Sequence, residues 1–183
     1  MNTLAYVFGQ PGAGKTSLLR AVCNSASLLY EAQDPIKHRC FNKHGRLFSI
    51  LGADAYPFGG TDTLSYTAIN TADHWLHALS SCAAGKLVFG EGDRLANDKF
   101  FEVTQKHFRL KAFYLACPDD EAARRRTARA SAHGLSLQAT SWVRGRITKH
   151  ANLAARHQTV IHLDARQSPD VLAEQVWAIV EQA

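Results

Sequence analysis

The chain has 183 residues, 46% of them hydrophobic and 20% charged. These are the proportions of an ordinary globular protein whose length suits one domain, and no stretch approaches the ~18 apolar residues that a membrane span requires. Twenty-one Lys and Arg against sixteen Asp and Glu give a formal charge of +5, a balance that favours anionic partners without separating free nucleotides from nucleic acid.

The opening residues lack the basic stretch of a removable signal peptide and run directly into a glycine-rich loop, so none is expected. Cys23, Cys40, Cys82 and Cys117 are scattered without a C-x-x-C pair, which argues against a disulfide framework or zinc ribbon and fits a reducing cytoplasm. His38, Cys40 and His44 fall short of a tetrahedral metal set. A surface hairpin is the expectation there.

Residues 3–8, TLAYVF, form a short apolar run read as a strand, and residues 15–27 a helix with Leu18, Leu19 and Val22 at helical spacing. Between them Gly9, Gln10, Pro11, Gly12, Ala13, Gly14, Lys15 and Thr16 match G-x-x-x-x-G-K-[ST] in full. A strand before and a helix after give this phosphate-binding loop its confirming context. Backbone N–H groups turn inward around phosphate oxygens and the helix end adds a positive field. Lys15 reaches the β and γ phosphates, Thr16 offers its hydroxyl to Mg²⁺, and Ser17 completes the set. ATP with Mg²⁺ is the expected cofactor.

Residues 36–41 and 46–51 flank the turn Asn42-Lys43-His44-Gly45, a β-hairpin expected as an insertion on a parallel sheet. The loop Phe58 to Ser65 brings flexible backbone, Thr61 and Asp62 to an acceptor-site role, with Asp62 a candidate base. A helix over 71–83 follows, with Ala72, Trp75, Leu76 and Leu79 on one face. Residues 86–90 form the next buried strand, ending in Gly90-Glu91-Gly92-Asp93-Arg94. Two carboxylates and a guanidinium thus stand at the C-terminal edge of the sheet, where α/β folds bind ligands. An acceptor hydroxyl has a high pKa, so a carboxylate that orients it and takes its proton assists attack. Glu91 is the first choice for that base, Asp93 for holding Mg²⁺ through water, and Arg94 completes the catalytic group. The plainer alternative is that Asp93 and Arg94 pair with each other and cap the next helix.

A helix carrying Ala96, Phe100 and Val103 leads to a strand over 109–116. Strands alternating with helices imply a mostly parallel α/β sheet. Pro118 to Glu121 open a helix that becomes the run Arg124, Arg125, Arg126 and Arg129 among alanines. A mobile, phosphate-facing lid over about 119–150 is expected. Within it Arg125 faces the transferring phosphoryl group, a contact worth ~10³ or more in rate, and Arg124 and Arg126 are candidate acceptor or DNA contacts, a solvated basic face being the alternative for this run too. Trp142, Arg144, Arg146 and Lys149 lie on the following helix, 142–156, as candidate acceptor or DNA contacts, a solvated basic face being the alternative. A strand over 159–163 and a helix capped by Ser168 with Pro169 at its first position complete the chain.

The loop Gly9 to Thr16, the Glu91 to Arg94 segment and the arginine-bearing lid, in this order, resemble thymidylate kinases and other nucleoside monophosphate kinases. With GGTDTLS and SWVRGRITK added, the whole chain is similar to the bacteriophage DNA 5-hydroxymethyluracil kinases, a branch of the thymidylate kinase group. That resemblance implies a P-loop kinase fold and phosphorylation of the hydroxymethyl group of 5-hydroxymethyluracil in phage DNA, a step toward hypermodified thymine. It also implies that Gly9 to Thr16 bind ATP and that the Glu91 to Arg94 segment serves the acceptor. Asp93-Arg94 lacks the aromatic residue that commonly follows in thymidylate kinases, which points away from free thymidylate. A kinase of a free nucleotide or small metabolite and a switch NTPase stay open, the latter disfavoured because no N-K-x-D sequence occurs.

Overall fold

The computed structural model describes residues 2–55 and 59–182. Phe58 of the predicted acceptor loop lies outside them. Seven strands form one sheet in the order β2-β3-β4-β5-β1-β6-β7. They comprise β1 (Thr3–Phe8), β2 (Ser27–Ala32), β3 (His38–Lys43), β4 (Arg46–Leu51), β5 (Leu87–Glu91), β6 (Arg109–Ala116) and β7 (Ile161–Asp164). β4, β5, β1, β6 and β7 run parallel, while β2 and β3 pair antiparallel at one edge.

Alternation along β1 supplies both apolar layers, because successive side chains point to opposite faces. Ala5 and Val7 join the layer under α1 (Lys15–Val22) and α6 (Pro169–Glu181), with Phe48, Phe89 and Phe113. Leu4, Tyr6 and Phe8 join the other, under α2 (Ala72–Ser80), α3 (Asp98–His107) and α5 (Thr140–Arg156), with Trp75, Phe100 and Phe101. Each of these aromatic rings is fully buried or nearly so and contributes about 2 kcal/mol by leaving water. Ser168 caps α6 by accepting from the Val171 N–H, with Pro169 opening the helix as the sequence predicts.

Three expectations change. The first helix ends at Val22, not Ser27, and the residues after Ser25, itself at φ 64°, become β2, a strand absent from the sequence reading. Its side chains are almost all exposed, so no burial period marked it. The expected hairpin is present as β3 and β4, and it joins the parallel sheet through β4, which pairs with β5 and carries β3 and β2 with it. It is not a surface feature, since His38 and Cys40 are buried. His38 Nδ1 bonds the Ile36 carbonyl at 2.8 Å, and among the described residues no three His, Cys, Asp or Glu side chains converge as a metal site. No helix of the described residues is long and apolar enough to cross a membrane.

Candidate active site

β1 lies between β5 and β6, so the loop after it and the turn after β5 share the C-terminal edge of the sheet. At Gly12 the backbone has φ 88°, and a Cβ there would stand 2.4 Å from the Ala122 carbonyl oxygen. Only glycine lets the loop turn this tightly against α4 (Asp119–Ala132). Gln10 is a buried anchor whose Nε2 donates to the Cys117 carbonyl at 2.7 Å and to Asp119 at 3.0 Å. Lys15 Nζ curls over the loop and donates to the carbonyls of Gly9 and Gln10 at 2.9 and 3.2 Å. Ala13 is buried and Ser17 is exposed on the first turn of α1.

Thr16 donates its hydroxyl proton to Glu91 Oε1 at 2.8 Å. Glu91 is buried, and that burial pushes its carboxyl up to about 7 against the opposing pull of Lys15 and the Thr16 hydrogen bond. Gly60, at φ 63°, makes room for it, since a Cβ there would stand 2.5 Å from Glu91 Oε1. A hydroxyl and a carboxylate oxygen this close, beside a lysine and at a helix N-terminus, are the hard donor set that Mg²⁺ takes alongside nucleotide phosphates. The residues fit ATP with its metal.

Asp93, two residues on, faces the other way. Arg146 reaches its Oδ2 at 3.0 Å, and Lys149 its Oδ1 at 2.9 Å. His150 Nε2, fully buried on α5, lies 2.9 Å from the same Oδ1, although off the line of a well-formed hydrogen bond. Burial pushes Asp93 up, yet its contacts with His150 and Lys149 outweigh that and hold it well below the usual carboxylate range. Burial likewise lowers His150, partly offset by Asp93, so the imidazole is neutral at pH 7. The alternative pairing of Asp93 with Arg94 is not formed. Arg94 donates instead to the Leu64 carbonyl and stacks over Tyr66, 3.7 Å from its ring centre.

The 3₁₀ turn Thr61–Thr63 ties the acceptor loop to this edge. Thr61 is buried, bonding Tyr6 and the Glu91 carbonyl, and so is structural. Asp62 Oδ1 accepts the N–H groups of Asp93 and Arg94 at 2.9 and 3.0 Å, which fixes the turn carrying both. A cleft of about 490 Å³ opens above the loop, lined among others by Gly12, Lys15, Asp62, Asp93, Trp142 and His150.

Several arginines sit elsewhere than expected. Arg124 is exposed and paired with Glu121, away from the cleft. Arg125 and Arg126 bond the loop from outside, through the Ala13 and Pro11 carbonyls respectively, and Arg125 also bonds the Ala165 carbonyl after β7. Their guanidinium groups hold loop carbonyls in place of a phosphate or an acceptor, and α4 is seated on the loop with Ala122 and Ala130 buried. Arg129 does line the cleft. On α5, Arg146 and Lys149 turn inward to Asp93, whereas Arg144 is exposed and Trp142 lies half-exposed under the Arg146 guanidinium, 5.2 Å from its ring centre. His150 escaped the sequence reading because a lone histidine on a basic helix carries no local signal.

The fold is shared with a solved sugar kinase. A sugar kinase from Janibacter sp. HTCC2649, solved without ligand, superposes with a TM-score of 0.58 at 15% identity, covering 99% of this chain and 95% of that one. Deoxyadenosine kinase from M. mycoides with bound dCTP gives a TM-score of 0.49 at 12% identity over 99% of this chain and all of that one. No curated protein matches the chain. A family model described as P-loop Nucleotide Kinase3 matches residues 1–167, and with the loop geometry above it establishes that the chain belongs to the P-loop nucleotide kinase 3 family.

Proposed function

We propose that the chain transfers the γ-phosphoryl group of ATP to an alcohol, and that this alcohol is the hydroxymethyl group of 5-hydroxymethyluracil in DNA. One observation carries the phosphotransfer reading. The end of β5 and the turn after it present two carboxylates to opposite partners, Glu91 to the Thr16 hydroxyl and Asp93 to the α5 cations. That division favours roles opposite to those expected from sequence. Glu91 and Thr16 hold Mg²⁺, and Asp93 orients the acceptor. When bound, the ion offsets charge on the β and γ phosphate oxygens.

Lys15 leaves its loop carbonyls for the γ-phosphate and stabilises the charge spread over it during transfer. The acceptor oxygen attacks in line. Its bond to the γ-phosphorus forms as the bond to the β,γ-bridging oxygen breaks, ADP departs with that oxygen, and the hydroxyl proton passes to Asp93 and then to water. A carboxylate held as acidic as Asp93 is a poor proton store, which suits a transition state in which the hydroxyl is oriented more than deprotonated.

The polymer reading is supported by two aromatic side chains flanking Asp93, each under an arginine: Tyr66 with Arg94 and Trp142 with Arg146. Exposed rings beside guanidinium groups suit an unstacked base and its backbone. The inward turn of Arg146 and Lys149 favours instead a free nucleotide, since it leaves Arg144 as the exposed cation of that run. A cytoplasmic site of action accords with four free thiols. The test is incubation with γ-labelled ATP and, separately, hydroxymethyluracil duplex, the same single strand and free 5-hydroxymethyl-dUMP. Label on DNA is expected. Label on the free nucleotide alone would overturn the polymer reading, and label on none would overturn both acceptors.

A further inference from the structure

A second cavity reaches the same carboxylate from the other side. It has a volume of about 220 Å³ between α1 and the β3-β4 hairpin, with Thr16, Gly60 and Glu91 at one end and Arg20, Arg39 and Asp54 at the other. Only Thr16 and Glu91 also line the cleft above the phosphate-binding loop. We infer that this cavity seats a phosphate of the acceptor, held by Arg39 and Arg20, an inference that rests on the phosphotransferase reading above.

Arg39 carries the argument. Its side chain is 13% exposed, its nearest acid is Asp54 at 3.8 Å, and its Nε is buried with no hydrogen-bond partner. A guanidinium is always charged and donates five hydrogen bonds, so a buried unfilled donor on a cavity wall calls for an incoming acceptor atom. Asp54 is shared, because Arg20 also bonds it at 2.9 Å. Asp54 takes a direct hydrogen bond from Arg20 and only the longer 3.8 Å contact from Arg39, and the paired N–H groups of arginine match phosphate oxygens.

The position selects an acceptor phosphate over a donor one. In-line transfer brings donor and acceptor to the γ-phosphorus from opposite sides. The donor's cradle lies at Gly12 and Lys15, and this cavity lies beyond Thr16 and Glu91. A base held at Asp93 could direct its own phosphate past Gly60 toward Arg39. Arg20 and Asp54 are each about two-fifths exposed, so the far end opens to solvent. The anion can therefore be the 5′-monophosphate of a free nucleotide or a diester of a strand passing through.

The experiment compares wild type, Arg39→Gln and Arg39→Lys on three acceptors: 5-hydroxymethyl-dUMP, its nucleoside without the phosphate, and a hydroxymethyluracil oligonucleotide. Arg39→Gln is expected to raise KM about tenfold for whichever phosphate-bearing acceptor the enzyme uses, leaving the ATP KM and the nucleoside KM unchanged, with partial rescue by Arg39→Lys. The arm that responds identifies the source of the phosphate. Inorganic phosphate titrated into protein saturated with MgADP gives a readout independent of transfer, and wild type should bind it about tenfold more tightly than Arg39→Gln. Equal phosphate binding, or an equal KM loss for the nucleoside, overturns the inference even where kinase activity is confirmed. Phosphate binding that depends on Arg39 in a protein that labels no acceptor would uphold the subsite and sink the kinase reading. If Arg39→Gln unfolds, Arg20→Gln repeats the comparison from the exposed end.

Discussion

Glu91 and Asp93 differ by one turn of backbone and by almost everything else. Glu91 ends a central strand, sealed from water, with a threonine hydroxyl as its hydrogen-bond partner. Asp93 sits in the turn beyond, where Arg146, Lys149 and His150 of a helix more than fifty residues away converge on it. One carboxyl is pushed up to about 7 and the other held well below its usual range. Two acids on one edge thus acquire opposite proton affinities from long-range packing, a difference that residue type cannot give.

The largest expected effect probes the frame common to both. Lys15→Ala should retain the fold, read by an unchanged circular dichroism melt, while transfer from labelled ATP falls by ~10² or more. A rate within tenfold of wild type would break the loop assignment.

Glu91→Gln comes next and should separate function from stability. Turnover should drop by ~10², yet the ligand-free protein should gain stability at pH 8. A carboxyl whose folded pKa lies above its unfolded value contributes stability that is full below about 4.5 and is lost as pH rises through about 7. The loss amounts to at most about 3 kcal/mol, so the wild-type melting temperature should fall between pH 5 and 8 and the variant's should not.

Asp93→Asn should show the opposite slope. A depressed carboxyl contributes stability above its unfolded pKa near 3.8 that is lost as pH falls toward its folded pKa. Wild type should therefore lose stability from pH 5 to pH 3 more steeply than the variant. At pH 7 the variant, with the Arg146 and Lys149 cations left facing no charge, should be weaker by ~2 kcal/mol in urea titration. Parallel pH profiles for the two variants would erase the distinction drawn above.

Arg144→Ala should do least. On hydroxymethyluracil duplex between about 50 and 200 mM salt, it should flatten the dependence of log affinity on log salt by roughly one unit, with ATP binding unchanged. An identical slope would remove Arg144 from any polymer contact.

The phosphate-binding loop was legible because its chemistry is local: eight consecutive residues, a strand before and a helix after. The buried faces of Trp75 and Phe100 were legible for the same reason, as helical spacing declares them. Asp93 was noticed, but its partners were not, since nothing in SWVRGRITK says that Arg146 and Lys149 turn inward while Arg144 turns out. Charge alone turns Arg125 toward the transferring group and Arg126 toward the acceptor, whereas the packing of α4 on Gly12 sets both against loop carbonyls. β2 went unread because an exposed edge strand buries no alternating set of side chains.

The Tyr6 hydroxyl, at the centre of the sheet, contacts both Thr61 Oγ1 at 2.8 Å and the Gly92 carbonyl at 3.1 Å. The 3₁₀ turn at Thr61 and the turn after β5 are thereby tied to the buried strand β1. Neither can shift without disturbing the core beneath it, so this side of the cleft is a fixed surface. On the opposite side α4 holds the loop through two arginine-to-carbonyl bonds, Arg125 to Ala13 and Arg126 to Pro11, and the Gln10–Asp119 hydrogen bond, contacts that can be traded one at a time.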